Sequence, residues 1–341
     1  MKEKQLVAPF PYMGNKRKVI DEVWARLGSP AHYIEPFCGS ASMLLGSPKI
    51  ASLEVVNDWN GFLSNFWRAV QSDSKAVAHA ADYPVSHIDF GARHEWLMTQ
   101  RKKLAVNLKN PFWPGDHLVA GWWLWGACIS IGGGFCEWDK EKPPESRLDA
   151  GSGIHADGKI PYISGPGQGV QAIGGIPRAD PGVGFQRLTK SREVVDLHPE
   201  EEMLTSSGHV AMSWLKKLQD RLDRVRILHG DWSRCLNRCY SPDSTAIFLD
   251  PPYIGFEGCY GGEIPIAKKV AEWCRRVVIT EPKLRIALCG HGKNNNLQGW
   301  DVFHWDRKSS TFGSTKTAAL ESIWFSPACL PGLNENIKEA A

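Results

Sequence analysis

The sequence predicts an α/β fold built on a doubly wound, largely parallel sheet. Strand-like and helix-like runs alternate in residues 1–70 and again in residues 208–330, which is typical of a parallel sheet with helices on both faces. Acidic residues also follow three of the strand-like runs, at Asp58, Asp231 and Asp250. Because ligands bind at the carboxyl ends of strands in such sheets, these acids predict the position of the site.

The first strand begins the pattern. Tyr33–Pro36 leads into the small-residue turn Phe37–Ser42, after which a helix begins near Met43. Strand, small-residue turn and helix together allow backbone N–H groups to approach a ligand. A second strand, Ser52–Val56, closes at Asn57-Asp58 before a run with helical spacing. An acid at this place commonly binds the hydroxyls of a ribose.

Residues 71–207 interrupt the alternation and are predicted to be an inserted region. Its first part is helical, over His94–Leu108 and the tryptophan-rich Leu118–Ile131. Glycine and proline then accumulate over Gly132–Gly184, which has too little apolar surface to order itself independently. We expect long loops there, some of which order when a partner binds. The alternative is a surface excursion without a role.

The alternation resumes after the insertion. The elements predicted there are helices at Val210–Leu222 and Ile266–Arg276, and strands at Val225–Leu228, Thr245–Leu249, Arg285–Cys289, Asp301–Trp305 and Glu321–Phe325. Residues 331–341 are predicted to form a C-terminal tail.

The most informative motif is Asp250-Pro251-Pro252-Tyr253, directly after an apolar strand. Asp250 offers a carboxylate acceptor, and the prolines restrict the backbone so that the Pro251 carbonyl is held in place. Tyr253 offers a ring that can stack on a base that has left its helix. The motif therefore suits recognition of an exocyclic amino group. A plain proline turn after a strand is the alternative.

Composition narrows the class of protein. The 341 residues are 43% apolar, and the net charge of +3 neither requires nor excludes a polyanionic partner. Nine cysteines occur without a C-x-x-C pair, which predicts free thiols and no metal site. The N-terminus lacks the apolar core of a signal peptide, and no stretch resembles a membrane span. We expect a soluble cytoplasmic protein without a membrane partner, monomeric or weakly dimeric.

Five motifs in this order resemble the Dam-type, or alpha-group, adenine-N6 DNA methyltransferases. They are Pro11–Lys16, Glu35–Gly39, Asn57-Asp58, Gly230-Asp231 and Asp250–Tyr253. The resemblance covers both flanks of the insertion. It implies a Rossmann-like sheet whose last strand runs antiparallel, with S-adenosylmethionine as cofactor and double-stranded DNA as partner.

The resemblance also implies roles for individual residues. Those matching cofactor-binding positions are Tyr12, Lys16, Glu35, Gly39, Asp58, Asp231 and Asp250, and those matching the catalytic loop are Asp250, Pro251, Pro252 and Tyr253. In this interpretation Asp250 and the Pro251 carbonyl accept hydrogen bonds from the target amine. The inserted residues 71–207 would be the target-recognition region.

Two departures from the family pattern concern the cofactor turns. Asn15 replaces the second glycine of the usual Gly-Gly-Lys, and Ala41 stands where the family usually has a glycine. The tryptophan-rich segment also lacks the family's usual Asn-Arg and Phe-Asn-Gly-Leu patterns, which leaves target specificity open.

Phosphate contacts could come from basic residues of the insertion, or these residues could form a solvated face. The residues are Arg93, Lys102, Lys103, Lys109, Arg178, Arg187, Lys190 and Arg192.

Other functions remain open at this point. A cytosine-N4 or RNA adenine methyltransferase would use the same amine chemistry, but cytosine-N4 enzymes more often have serine at the position of Asp250. A catalytically inactive DNA-binding relative is disfavoured by intact Lys16, Asp250 and Tyr253. An unrelated nucleotide-binding protein is disfavoured because the first turn lacks Gly-x-Gly-x-x-Gly. The departures suit a phage or prophage origin, and a restriction-modification role is a further expectation.

Overall fold

A computed structural model describes residues 5–10, 12, 16–83, 87–129, 135–136, 206–236, 241–252, 266–291, 297–305 and 321–333. The chain forms two compact units. The first comprises Met1–Gln5, Asn15–Trp59 and Arg224–Ala341, and the second comprises Leu6–Gly14 and Asn60–Asp223.

The first unit contains a seven-stranded sheet. Its strands are β1 (His32–Glu35), β2 (Leu53–Asp58), β3 (Val225–His229), β4 (Thr245–Leu249), β5 (Arg285–His291), β6 (Asp301–Trp305) and β7 (Glu321–Phe325). Their order is β3-β2-β1-β4-β5-β7-β6. The five strands β1 to β5 pair in parallel, whereas β7 runs antiparallel to both β5 and β6. The expected α/β, Rossmann-like sheet with an antiparallel last strand is confirmed.

Helices cover both faces of this sheet. They are α1 (Ile20–Leu27), the short α2 (Ser42–Leu45) and α8 (Ile266–Thr280). Trp24 of α1 packs on Tyr33 with ring centroids 4.7 Å apart, while the next strand residue, Ile34, belongs to the apolar cluster that includes Val270 of α8. Since successive strand residues point to opposite faces, α1 and α8 lie on opposite sides.

The second unit is helical. It contains α3 (Gly61–Ser72), α4 (Ser74–Ala81), α5 (His87–Asn107), α6 (His117–Ile129) and α7 (Ser206–Leu222). Phe10 packs into its aromatic core, with ring centroids 5.3 Å from Phe66 and 5.0 Å from Trp123. Gly121 allows α6 to approach α4, because a Cβ there would meet the Cβ of Ala80 at 2.4 Å.

The limits of β4, β6 and β7 agree with the sequence predictions. Two helices were not predicted, α1 and α4. The stretch Gly132–Gly184 lies outside the described residues, except for Phe135 and Cys136.

The seven cysteines of the described ranges are free thiols, as expected. In the same ranges no helix is long and apolar enough to cross a membrane.

Candidate active site at the carboxyl edge of the sheet

Four loops meet at one edge of the sheet because β1 to β4 are parallel and their carboxyl ends lie together. Asp58 is the last residue of β2, Asp250 follows β4 directly, and Asp231 follows Gly230 after β3. The predicted position of the three acids at strand ends is therefore found in the structure.

Glu35 ends β1 as a buried carboxyl group, 2% exposed. It accepts hydrogen bonds from the Tyr33 hydroxyl at 3.0 Å and from the Leu44 N–H at 3.1 Å. Burial raises the pKa of Glu35 to about 8; those two hydrogen bonds oppose this rise, and the negative charges of Asp250 and Glu54 add to it. A cation beside this carboxyl group would favour its ionised form.

The turn after β1 bends sharply through left-handed residues. Gly39 has φ +47° and Ala41 has φ +50° with ψ +32°. The resemblance to the family implies a glycine at the position of Ala41, and a left-handed backbone conformation favours glycine. The alanine adopts the same kind of backbone at a modest energetic cost, so the departure does not abolish the turn.

Asp58 and Asn57 at the end of β2 tie the neighbouring turns together. The Gly39 N–H donates to Asp58 Oδ2 at 2.8 Å. The Asn57 side-chain Nδ2 donates to the Pro36 carbonyl and to the Gly230 carbonyl, both at 3.0 Å. One amide therefore links the turn after β1 to the turn after β3.

The Asn57 Oδ1 atom is buried and has no hydrogen-bond partner within the described ranges. A buried acceptor at a ligand edge is a place where a bound molecule can supply the missing donor.

Asp231 is exposed, unlike the acids of β1 and β2. Its Oδ1 accepts from the Ser233 N–H at 2.9 Å and so caps the short 3₁₀ turn that follows. Trp232, the next residue, stacks on Phe37 with centroids 6.0 Å apart and an interplanar angle of 24°. This stack is a second link between the turns after β1 and β3.

Asp250 is held by a buried lysine. Lys16 Nζ lies 2.8 Å from Asp250 Oδ2, and the two side chains are 4% and 20% exposed. Burial raises the pKa of the Cys289 thiol of β5, and the negative charge of Asp250 adds to this rise. Glu321, the first residue of β7, lies 3.9 Å from Lys16 Nζ. Burial acts to lower the pKa of Lys16, but its interactions with the carboxyl groups of Asp250 and Glu321 and with Cys289 outweigh burial and raise the pKa above its usual value.

The remaining sequence candidates divide into three cases. Pro251 is buried and Pro252 is half-buried directly after Asp250. Tyr12 is in the helical unit, where its ring packs edge-on against Phe10 at 6.4 Å. Tyr253 lies outside the described residues.

The described part of the chain contains no cluster of three His, Cys, Asp or Glu side chains suited to a metal ion. This edge carries the buried acids Glu35, Asp58 and Glu321, the part-exposed Asp250 and the exposed Asp231. Together they form a set of acceptors suited to a cationic ligand that carries hydroxyl groups.

Residues 12–103 match the family model of the D12 class N6 adenine-specific DNA methyltransferases. The chain is an adenine-specific DNA methyltransferase. The matched span includes Lys16, Glu35, Gly39 and Asp58, whereas Asp231 and Asp250 lie beyond it. No curated protein matches the chain.

The cofactor of this methyltransferase is S-adenosylmethionine. The residues at the sheet edge fit it. The raised pKa of Glu35 reflects a buried carboxyl group, and a sulfonium cation is a suitable counter-charge for it. Asp58 ends the second strand, where a ribose acid is expected.

Sequence reasoning missed three residues at this edge: the bridging Asn57, Cys289 and Glu321. In the sequence, Asn57 is marked only as the neighbour of Asp58. Cys289 and Glu321 reach the edge through the sheet order, and no local motif marks either of them. An acid that opens a strand rich in β-branched and aromatic residues, as Glu321 does, is the one signal that could have indicated Glu321.

Proposed function

We propose that this methyltransferase is of the Dam type, in the alpha group, and methylates N6 of an adenine flipped out of a specific duplex DNA sequence. The observation that carries the proposal is Asp250, fixed by Lys16 at the same sheet edge as Glu35 and Asp58. An acceptor fixed by a buried cation suits the orientation of an amine, and the part-exposed side chain of Asp250 remains within reach of an incoming group.

The amine of adenine is a weak nucleophile because its lone pair is delocalised into the ring. In the proposed mechanism the two N–H groups of the amine donate hydrogen bonds to the Asp250 carboxylate and the Pro251 carbonyl, which favours a more tetrahedral nitrogen. Bound S-adenosylmethionine supplies an electrophilic methyl group. Tyr253 stacks on the flipped base and Pro252 stiffens the loop. Transfer would form the N6–methyl bond as the sulfur–methyl bond of the cofactor breaks. N6, then positively charged and still carrying both of its hydrogens, would lose one of them to solvent as a proton.

The cofactor would be held by the two turns that Asn57 links. In this proposal Glu35 and Gly39 face the methionine end, Asp58 binds the ribose hydroxyls, and Asp231 lies at the adenine end. Lys16 acts through Asp250, to which it is paired. Tyr12 completes the cofactor-binding set by resemblance.

The inserted residues 71–207 are proposed as the target-recognition region, with residues 1–70 and 208–330 forming the catalytic domain and 331–341 a tail. Lys102, Lys103 and Lys109 are exposed, which suits contact with phosphates.

Arg93 does not suit contact with phosphates, which corrects the prediction made for it from the sequence. It is 6% exposed, and its guanidinium carbon lies 4.0 Å from the ring centroid of Tyr83 and 4.5 Å from that of Trp125.

The biological setting completes the proposal. The enzyme would act as a monomer or weak dimer in the cytoplasm of a bacterial or phage-infected cell, in a phage or restriction-modification system.

The test is transfer of a labelled methyl group from S-adenosylmethionine to duplex DNA, followed by nucleoside digestion and sequencing of methylated positions. We expect N6-methyladenine within one short sequence. Label found only in N4-methylcytosine or only in RNA would refute the substrate.

The Asp250→Ala variant tests the catalytic assignment. We expect transfer to fall by at least about a thousandfold, because the amine loses its charged acceptor. Asp243→Ala is a matched control, since Asp243 is an exposed acid before β4. Both variants should unfold cooperatively in urea. Activity retained in Asp250→Ala would remove that residue from the mechanism.

A further inference from the structure

The antiparallel strand β7 brings a second carboxyl group to Lys16. Glu321 opens β7 and pairs in register with His291, the last residue of β5. Because β7 runs opposite to β5, its first residue lies at the edge where the parallel strands end. A residue distant in sequence therefore joins the edge that carries Asp250.

Lys16 is a buried cation between two acids. It is 4% exposed, and Glu321 is 2% exposed. Its ammonium nitrogen lies 2.8 Å from Asp250 Oδ2 and 3.9 Å from the nearest Glu321 oxygen. An isolated buried ammonium group would tend to lose its proton. Asp250 beyond β4, Cys289 on β5 and Glu321 on β7 all act in the opposite direction on the pKa of Lys16.

Two acids around one lysine leave the trio with a net negative charge when all three are ionised. If Asp250 were the only acid beside Lys16, the pair would be neutral. The positive charge of Lys16 would then cancel more of the negative potential of Asp250, which attracts the hydrogens of the amine. With Glu321 present, Lys16 can fix the geometry of Asp250 while sharing its positive charge with a second carboxylate.

We propose that Glu321 is a positioning residue for methyl transfer: it keeps Lys16 charged and in place, so that Lys16 orients Asp250 toward the target amine. The inference rests on the proposed function and adds to it a residue from the C-terminal strand. Glu321 acts through Lys16 and is not itself in contact with the amine.

The central experiment compares Glu321→Gln with wild type in steady-state transfer to DNA. We expect kcat to fall about tenfold, while KM for S-adenosylmethionine changes by less than about twofold, since orientation of the acceptor affects the reacting state more than binding. Glu321→Asp, which retains the charge but shortens the side chain, should recover part of the loss.

The pKa of Lys16, followed by NMR of the labelled lysine side chain, gives a readout that a structural defect alone would not produce. Loss of the Glu321 charge should lower the pKa of Lys16 relative to wild type, because one of the groups that raise it is removed. An unchanged pKa in Glu321→Gln would overturn the proposal.

Glu22→Gln is the matched control. Glu22 is a buried acid of the same unit that accepts from Arg26 Nε at 2.6 Å, and its loss should reduce stability while kcat stays within about twofold of wild type. An equal fall of kcat in both variants would mean a general effect of losing a buried acid and would overturn the proposal. If Glu321→Gln does not fold, Glu321→Asp decides: wild-type kcat in that variant would overturn it.

An inactive wild-type protein would instead refute the proposed function. Activity in wild type with no effect of the Glu321 substitutions would refute only the positioning role.

Discussion

Glu35 is a carboxyl group that the fold holds in a largely neutral state near pH 7. Its pKa is raised to about 8 mainly by burial. A bound cation nearby would reverse that preference, because it stabilises the ionised form. The residue can therefore couple cofactor binding to release of a proton.

We predict that affinity for S-adenosylmethionine increases as the pH rises from about 6 to about 8 and then levels off. Below the pKa of Glu35, binding must displace its proton, and above it no proton remains to be displaced. Isothermal titration calorimetry across this range measures the effect. Glu35→Gln should remove the pH dependence and weaken binding about tenfold. S-adenosylhomocysteine, whose sulfur is uncharged, should show no comparable dependence in wild type; equal pH dependence for both ligands would contradict the prediction.

The same shift affects stability without ligand. The pKa of Glu35 is 4.5 as an ordinary carboxyl group and about 8 in the folded state. The folded protein therefore holds this proton more tightly, and the contribution of Glu35 to the free energy of unfolding falls as the pH rises from about 4.5 to about 8. Glu35→Gln should show a smaller loss of stability over that window.

In the helical unit, glycine allows two helices, α4 and α6, to pack closely. A Cβ at Gly121 of α6 would lie 2.4 Å from the Cβ of Ala80 and 2.8 Å from the Val77 carbonyl oxygen of α4. At Gly91 of α5 a Cβ would meet nothing within 4 Å. The two helical glycines thus make a matched pair for testing close packing.

Gly121→Ala should lower the free energy of unfolding by about 1–3 kcal/mol, because α4 and α6 must move apart. Gly91→Ala should raise it by about 0.5–1 kcal/mol, since alanine favours the helix and has room. Urea unfolding followed by circular dichroism measures both. A Gly121→Ala variant as stable as wild type would mean that α4 and α6 do not pack this closely.

At the scale of elements, the sequence predicted β4, β6 and β7 within their observed limits because each is a short run rich in β-branched and aromatic residues. It did not predict α1, although Ile20, Val23, Trp24 and Leu27 recur at helical spacing.

For the site, the acids at strand ends could be predicted because each follows a strand-like run in the sequence. The Lys16–Glu321 pair could not, because it depends on which strands become neighbours. Likewise, the burial of Arg93 depends on tertiary packing around its aromatic neighbours.

The molecule as a whole carries a net charge of only +3, so attraction to DNA has to come from a local surface. Lys102 and Lys103 near the end of α5 and Lys109 just after it are exposed. Lys103 Nζ lies 3.9 Å from Asp116 Oδ2, at a distance where screening makes the pair weak.

Replacement of Lys102, Lys103 and Lys109 by alanine should weaken DNA binding and reduce its salt dependence. The slope of log K against log salt should fall by about 0.9 for each phosphate that the protein no longer neutralises. Fluorescence anisotropy with labelled duplex DNA at several salt concentrations measures this. Lys268→Ala with Lys269→Ala, two exposed lysines of α8, is the control and should leave the slope closer to wild type. An unchanged slope in the triple variant would exclude these lysines from the DNA-binding surface.

The antiparallel strand β7 also has a consequence for how the protein is made. β7 follows β5 and β6 in the chain, yet it lies between them in the sheet. During translation β6 therefore leaves the ribosome before the strand to which it pairs, and the edge of the sheet cannot close in the order of synthesis. The same late strand carries Glu321. A nascent chain would thus acquire the charge environment of Lys16 only after β7 has been synthesised.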